Sequence, residues 1–124
     1  MQTAILLSAA SVITLWGIGH LIPTRNVVAG FGALTPDNWR IITMEWLAEG
    51  LCLCFLGLVA AAFVLLLGAD HTATRLLARA CALMLFVLAG VSAFTGARTS
   101  ILPMKLCPWI KSLVGLSYIL ASCL

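Results

Sequence analysis

Four apolar runs, each close to the length that crosses a bilayer, are separated along this chain by short polar connections. A hydrocarbon core about 30 Å thick takes about 20 apolar residues in a helix. The 124 residues therefore allow a few spans and one domain. Composition points the same way. With 63% hydrophobic and 9% charged residues and a mean hydropathy of +1.16, the chain has too little polar surface to coat a soluble globule. The expected fold is all-α: a polytopic membrane protein forming a single four-helix transmembrane bundle over residues 1–124.

The first predicted span covers residues 4–22. It is apolar apart from Ser8, Ser11, Thr14 and His20, and is closed by Pro23. No basic segment precedes it and no small-residue cleavage site follows, so it reads as a mature helix and not a secretory signal. From Pro23 to Thr35, the Arg25-Asn26 pair and Gly30 and Gly32 predict a loop at the interface. Thr35-Pro36-Asp37 is a helix start: a side-chain oxygen for free amides, a proline suited to the first turn, and an acid at the positive end of the dipole. The second span runs over 36–67, longer than the bilayer core requires, which places Trp39 and Trp46 at headgroup depth. A turn at Gly68–Thr72 leads to a third span at 75–95, with Arg75 and Arg79 at its start. The polar stretch Ala97–Lys105 leads through Cys107-Pro108 into a last span at 108–124.

An even number of spans puts both termini on one side, and short connections favour antiparallel neighbours. Arg25, Arg40, Arg98 and Lys105 flank the connections after the first and third spans, against Arg75 and Arg79 on the other side. The positive-inside rule then predicts an integral protein of the plasma (inner) membrane with its polar-loop end cytoplasmic.

Most ionisable side chains fall at that polar end: His20, Arg25, Asp37, Arg40, Glu45, Glu49, Arg98, Lys105 and Lys111. Charge in or beside a bilayer is costly, so such a gathering suggests a site. Glu45 and Glu49 are one helical turn apart and share a face, where they repel unless His20 or Arg98 offsets them. Trp16 stands one turn before His20, and Trp46 adjoins Glu45. Together these outline a pocket with apolar walls and one polar end. The candidate acid/base residues are Glu45, Glu49 and His20, and the candidate ligand contacts are Trp16, Trp46, Arg98, Arg25 and Asp37. The alternative is structural: tryptophans as interfacial anchors, and Glu and Arg pairing to hold helices together. Arg25, Arg40 and Lys105 also suit headgroup contact.

Other chemistries find less support. The net charge of +3 is spread along membrane boundaries and forms no nucleic-acid footprint. No phosphate loop, dinucleotide fingerprint or nucleophile elbow is present. The five cysteines lack a C-x-x-C pair and read as buried thiols, and Cys52 and Cys54 diverge on one helix. His20 and His71 fall at opposite faces and cannot share a haem. Met104 and Cys107 alone make a weak soft-metal signal. Neither a metal nor a cofactor is expected. Gly50 and Gly57, two turns apart, read as packing positions.

Gly17-Ile18-Gly19-His20, together with Glu45-Trp46-Leu47-Ala48-Glu49-Gly50-Leu51 and Leu56-Gly57, resembles the pattern of small DoxX-like four-helix membrane proteins. That resemblance implies a four-helix bundle with a polar cavity open toward one leaflet and no single shared reaction. More distantly, the arrangement is similar to the sterol-isomerase type of membrane fold, in which His, Glu and Trp line a lipid cavity. Two functions follow as expectations. The first is a module binding a lipid, quinone or other amphipathic molecule, a partner subunit or a second copy of itself. The second is an intramembrane isomerase, cyclase or hydrolase in which a Glu protonates an apolar substrate and His20 or the other Glu removes a proton.

Overall fold

A computed structural model describes all residues, 1–124, and is all-α. Its elements are α1 (Gln2–Leu21), the short α2 (Thr24–Ala29), α3 (Pro36–Leu67), α4 (Thr72–Phe94), a 3-10 turn at Gly96–Arg98 and α5 (Leu102–Cys123). The long helices α1, α3, α4 and α5 are each long and apolar enough to cross a membrane. Their outer faces carry Leu15, Leu58, Leu65, Leu83, Val87 and Leu113 exposed, a surface stable only against lipid tails.

The start of α3 follows its sequence. Thr35 Oγ1 accepts from the Asn38 amide at 3.2 Å, Pro36 opens the first turn, and Gly68 ends the helix at φ +90°, where only glycine sits without strain. His71 begins α4 by accepting from the Ala73 amide. Two boundaries differ from the sequence reading. The loop at 23–35 contains α2. The last helix starts at Leu102, not at 108, because Pro103 already occupies its first turn and Pro108 lies inside it. Pro108 has no N–H to give the Met104 carbonyl, one turn back, but the flanking turns hold. Lys111 therefore sits more than two turns inside the helix.

Around the bundle the order is α3, α1, α5, α4. The tightest pairings are α1 with α3 and α4 with α5, and α1 also packs on α5. Although consecutive, α3 and α4 touch far less. Small residues explain the tight side. A Cβ at Gly17 would lie 2.7 Å from the Cys54 amide nitrogen, and one at Gly57 would lie 2.6 Å from the Ala10 carbonyl oxygen, so the two backbones meet directly.

Leu6, Ile13, Leu53, Leu85 and Tyr118 form the buried centre. Beyond it, the end carrying the termini is closed by hydrogen bonds. Gln2 Nε2 donates to the Ala69 and Ala121 carbonyls at 3.3 and 2.9 Å, and Arg79 Nε donates to Ser122 Oγ at 3.1 Å. At the other end α3 and α4 part.

Candidate functional site

Each long helix sends polar side chains into the space where α3 and α4 separate. The pairs Trp16/His20 on α1, Glu45/Glu49 on α3 and Cys107/Lys111 on α5 are each four residues apart, so both members of a pair share a face. Ser92 comes from α4. Of these, His20, Glu45, Glu49, Ser92 and Cys107 line a cavity of about 490 Å³ whose apolar wall includes Ile41, Ile42, Leu88 and Val91, while Trp16 and Lys111 pack behind them. Several wall residues are exposed, so the cavity opens sideways, toward the lipid.

The anchor of the cluster is Lys111, which is fully buried. A lysine is almost never buried without a partner, and Lys111 has two: its Nζ donates to Glu49 Oε1 and, at 2.6 Å, to Ser92 Oγ. One ammonium thus ties α3, α4 and α5 together behind the open seam. The Glu49 side chain remains 31% exposed toward the cavity. Glu45, one turn nearer the interface, is exposed and makes no ion pair or side-chain hydrogen bond.

His20 is buried at the floor of the cavity. Its Nδ1 lies 3.2 Å from the Trp16 carbonyl, which can only accept, so Nδ1 carries the hydrogen. That leaves Nε2 facing Cys107 Sγ at 3.9 Å and Glu49 Oε1 at 4.0 Å. Trp46 stacks on the imidazole, with ring centroids 5.1 Å apart, and its indole N–H donates to the His20 carbonyl at 2.6 Å. Trp16 meets the same imidazole edge-on and donates to Cys107 Sγ at 3.5 Å. The histidine is therefore fixed in both rotamer and ring orientation. On its far side a second apolar space, about 440 Å³, runs between α1 and the start of α5, sharing His20, Trp46 and Met104 as a partition.

Of the residues expected from sequence, His20, Trp16, Glu45, Trp46 and Glu49 come together here. Three do not. Arg98 is exposed in the 3-10 turn, its guanidinium 5.7 Å from the centre of the Phe94 ring. Arg25 is exposed on α2, and exposed Asp37 pairs with Arg40 at 3.4 Å. The positive charge expected from Arg98 is supplied instead by Lys111. Three members of the cluster, Lys111, Cys107 and Ser92, were not among the expected acid/base or ligand-contact residues. For Cys107 and Lys111 the available signal was their four-residue spacing and the depth of a lysine within an apolar helix.

The five cysteines are all free. His20 Nε2, Glu49 Oε1 and Cys107 Sγ lie within 4.8 Å of one another, a spacing that a metal ion could draw together. The Lys111 ammonium, however, already stands on Glu49 Oε1. A cation would have to displace it, so the donor set is charge-compensated without a metal. Comparison with protein-family models, curated proteins and solved structures gives no match.

Proposed function

We propose that this protein binds an amphipathic molecule whose apolar tail lies in the seam between α3 and α4 and whose head reaches Glu45 and Glu49. The observation that carries this reading is the sideways-opening cavity of about 490 Å³, with largely hydrocarbon walls and the buried polar groups His20, Ser92 and Cys107 gathered beside Glu49. With Lys111 committed to Glu49 and Ser92, the groups left to meet a ligand are chiefly acceptors: the unpaired Glu45 carboxylate and the cavity side of Glu49. Such an end selects a head that donates hydrogen bonds, a hydroxyl or an amine. The resemblance to DoxX-like proteins adds support.

The same reading puts the polar end at the cytoplasmic side of a plasma membrane, following the excess of Arg and Lys there. A second copy or a partner subunit bound at the seam is the competing occupant. The alternative in which Glu45, Glu49 and His20 perform acid/base isomerisation draws support from the fixed imidazole facing a carboxylate.

Native mass spectrometry of gently extracted protein tests the reading. The wild type is expected to carry a discrete small-molecule mass, or to take up a long-chain alcohol or amine added in excess, with Glu45→Gln retaining less. Protein that shows neither mass, or that appears only as a larger assembly of copies, would refute it.

A further inference from the structure

Cys107 differs from the other cysteines in its surroundings. Cys54 and Cys81 point at the Thr14 and Leu56 carbonyls, Cys52 lines the same cavity but makes no hydrogen bond and has no histidine beside it, and Cys123 is exposed at the far end of α5. Cys107 borders the cavity and is met by groups able to donate or to exchange a proton, among them Trp16 Nε1 at 3.5 Å, Ser92 Oγ at 3.9 Å and His20 Nε2 at 3.9 Å. With Nδ1–H of His20 held by the Trp16 carbonyl, a neutral ring turns its Nε2 lone pair toward the sulfur. A nucleophile, a base within reach and a third group orienting the base is the arrangement by which thiols are activated, and such contacts are often long before substrate is bound. Here the orienting group is a backbone carbonyl, and Trp46 clamps the ring from its face.

We infer that Cys107 is a nucleophilic thiol, with His20 as its proton acceptor, that takes the acyl group of an amphipathic ester held in the cavity between α3 and α4. This rests on the pocket reading above. In the step, the thiol proton passes to His20 Nε2 while the sulfur attacks the ester carbonyl carbon. A C–S bond forms and the C–O bond breaks. The alcohol leaves with the proton from Nε2, and the acyl chain stays on Cys107 as a thioester. No oxidant or reductant enters. Trp16 and Ser92 hold the sulfur while it carries charge. The burial of both residues, 3% exposed for Cys107 and 5% for His20, keeps bulk water from the bond. A hydroxyl- or amine-bearing alcohol is the leaving group that Glu45 and Glu49 would recognise.

The test uses the full chain in detergent with p-nitrophenyl decanoate as the acyl donor and 1-O-decylglycerol, an ether that cannot acylate, as the binding probe. Expected are a burst of one nitrophenolate per chain and one decanoyl group mapped to Cys107. Cys107→Ser should abolish both, and His20→Asn should slow the burst about 100-fold. Should His20→Asn fail to fold, the map alone decides, with Cys123 as the internal reference. Acylation of Cys107 no faster than that of exposed Cys123 would overturn the proposal. If the ether is retained while Cys107 stays unmodified, the nucleophile is refuted and the pocket stands. If neither ether nor acyl group is held, both readings fall together.

Discussion

The two seams of α3 are built on opposite principles. Toward α1, Gly17 and Gly57 let backbones touch, and Gly50 makes room for the Leu21 side chain. A Cβ at any of them would come within 3 Å of a neighbouring atom. Toward α4, the same helix presents Glu45, Glu49 and Cys52 to a space that no side chain fills. Between membrane helices there is no hydrophobic drive to associate, so a seam closes only where surfaces fit or polar groups bond. Small residues close the first seam. The second is closed toward the termini by contacts such as Thr74 to the Phe63 carbonyl, is tied at its open half by one ammonium shared between Glu49 and Ser92, and gapes beyond it. The lesson is that polar chemistry here occupies the one side of the bundle that packing leaves unfinished.

The largest way to break this contrast is Glu49→Gln, which leaves Lys111 buried without its counter-charge. Loss of a partner from a buried pair costs about 3 kcal/mol or more, and a thermal melt in detergent should show it. Adding Lys111→Met to that variant should recover most of the loss, since replacing both members of such a pair by groups of similar size is close to neutral. Gly57→Leu attacks the closed seam and should cost about 2 kcal/mol, because its new atoms meet the Ala10 backbone and cannot be absorbed by a side-chain shift. Glu45→Gln sharpens the contrast differently: exposed and unpaired, it should move stability by less than about 0.5 kcal/mol while weakening retention of a bound hydroxyl or amine. Smallest in its effect on the site is Arg98→Ala. Its exposed contact with Phe94 is worth about 0.5 kcal/mol, and ligand retention should not change.

How much of this was legible in the sequence differs by element. The span at 36–67 could be read to its last residue, since Thr35-Pro36-Asp37 and Gly68 are local signals whose physics acts within a turn. The start of α5 could not, because Pro103 and Pro108 compete for the same first-turn role and only packing decides between them. That one ambiguity hid the depth of Lys111, and with it the partner of Glu49. His20, Glu45, Trp46 and Glu49 were identified from depth and helical spacing. Arg98 was misplaced because spacing along α4 says nothing of the 3-10 turn that carries it outward. Cys107 resembled any buried thiol. What sets it apart is His20, 87 positions earlier in the chain, and no local pattern encodes that approach.

As proposed above, the gap between α3 and α4 is a binding site and not merely loose packing. Val91 lines it, is largely exposed, and carries no polar side-chain group of the ionic cluster. Native mass spectrometry of Val91→Trp beside the wild type, each supplied with the same long-chain alcohol, measures the claim directly. The expected result is an unchanged melting temperature with retention of the alcohol reduced about tenfold or more, as an indole fills the entry. Equal retention by the two proteins would contradict it and leave the seam as unfilled space.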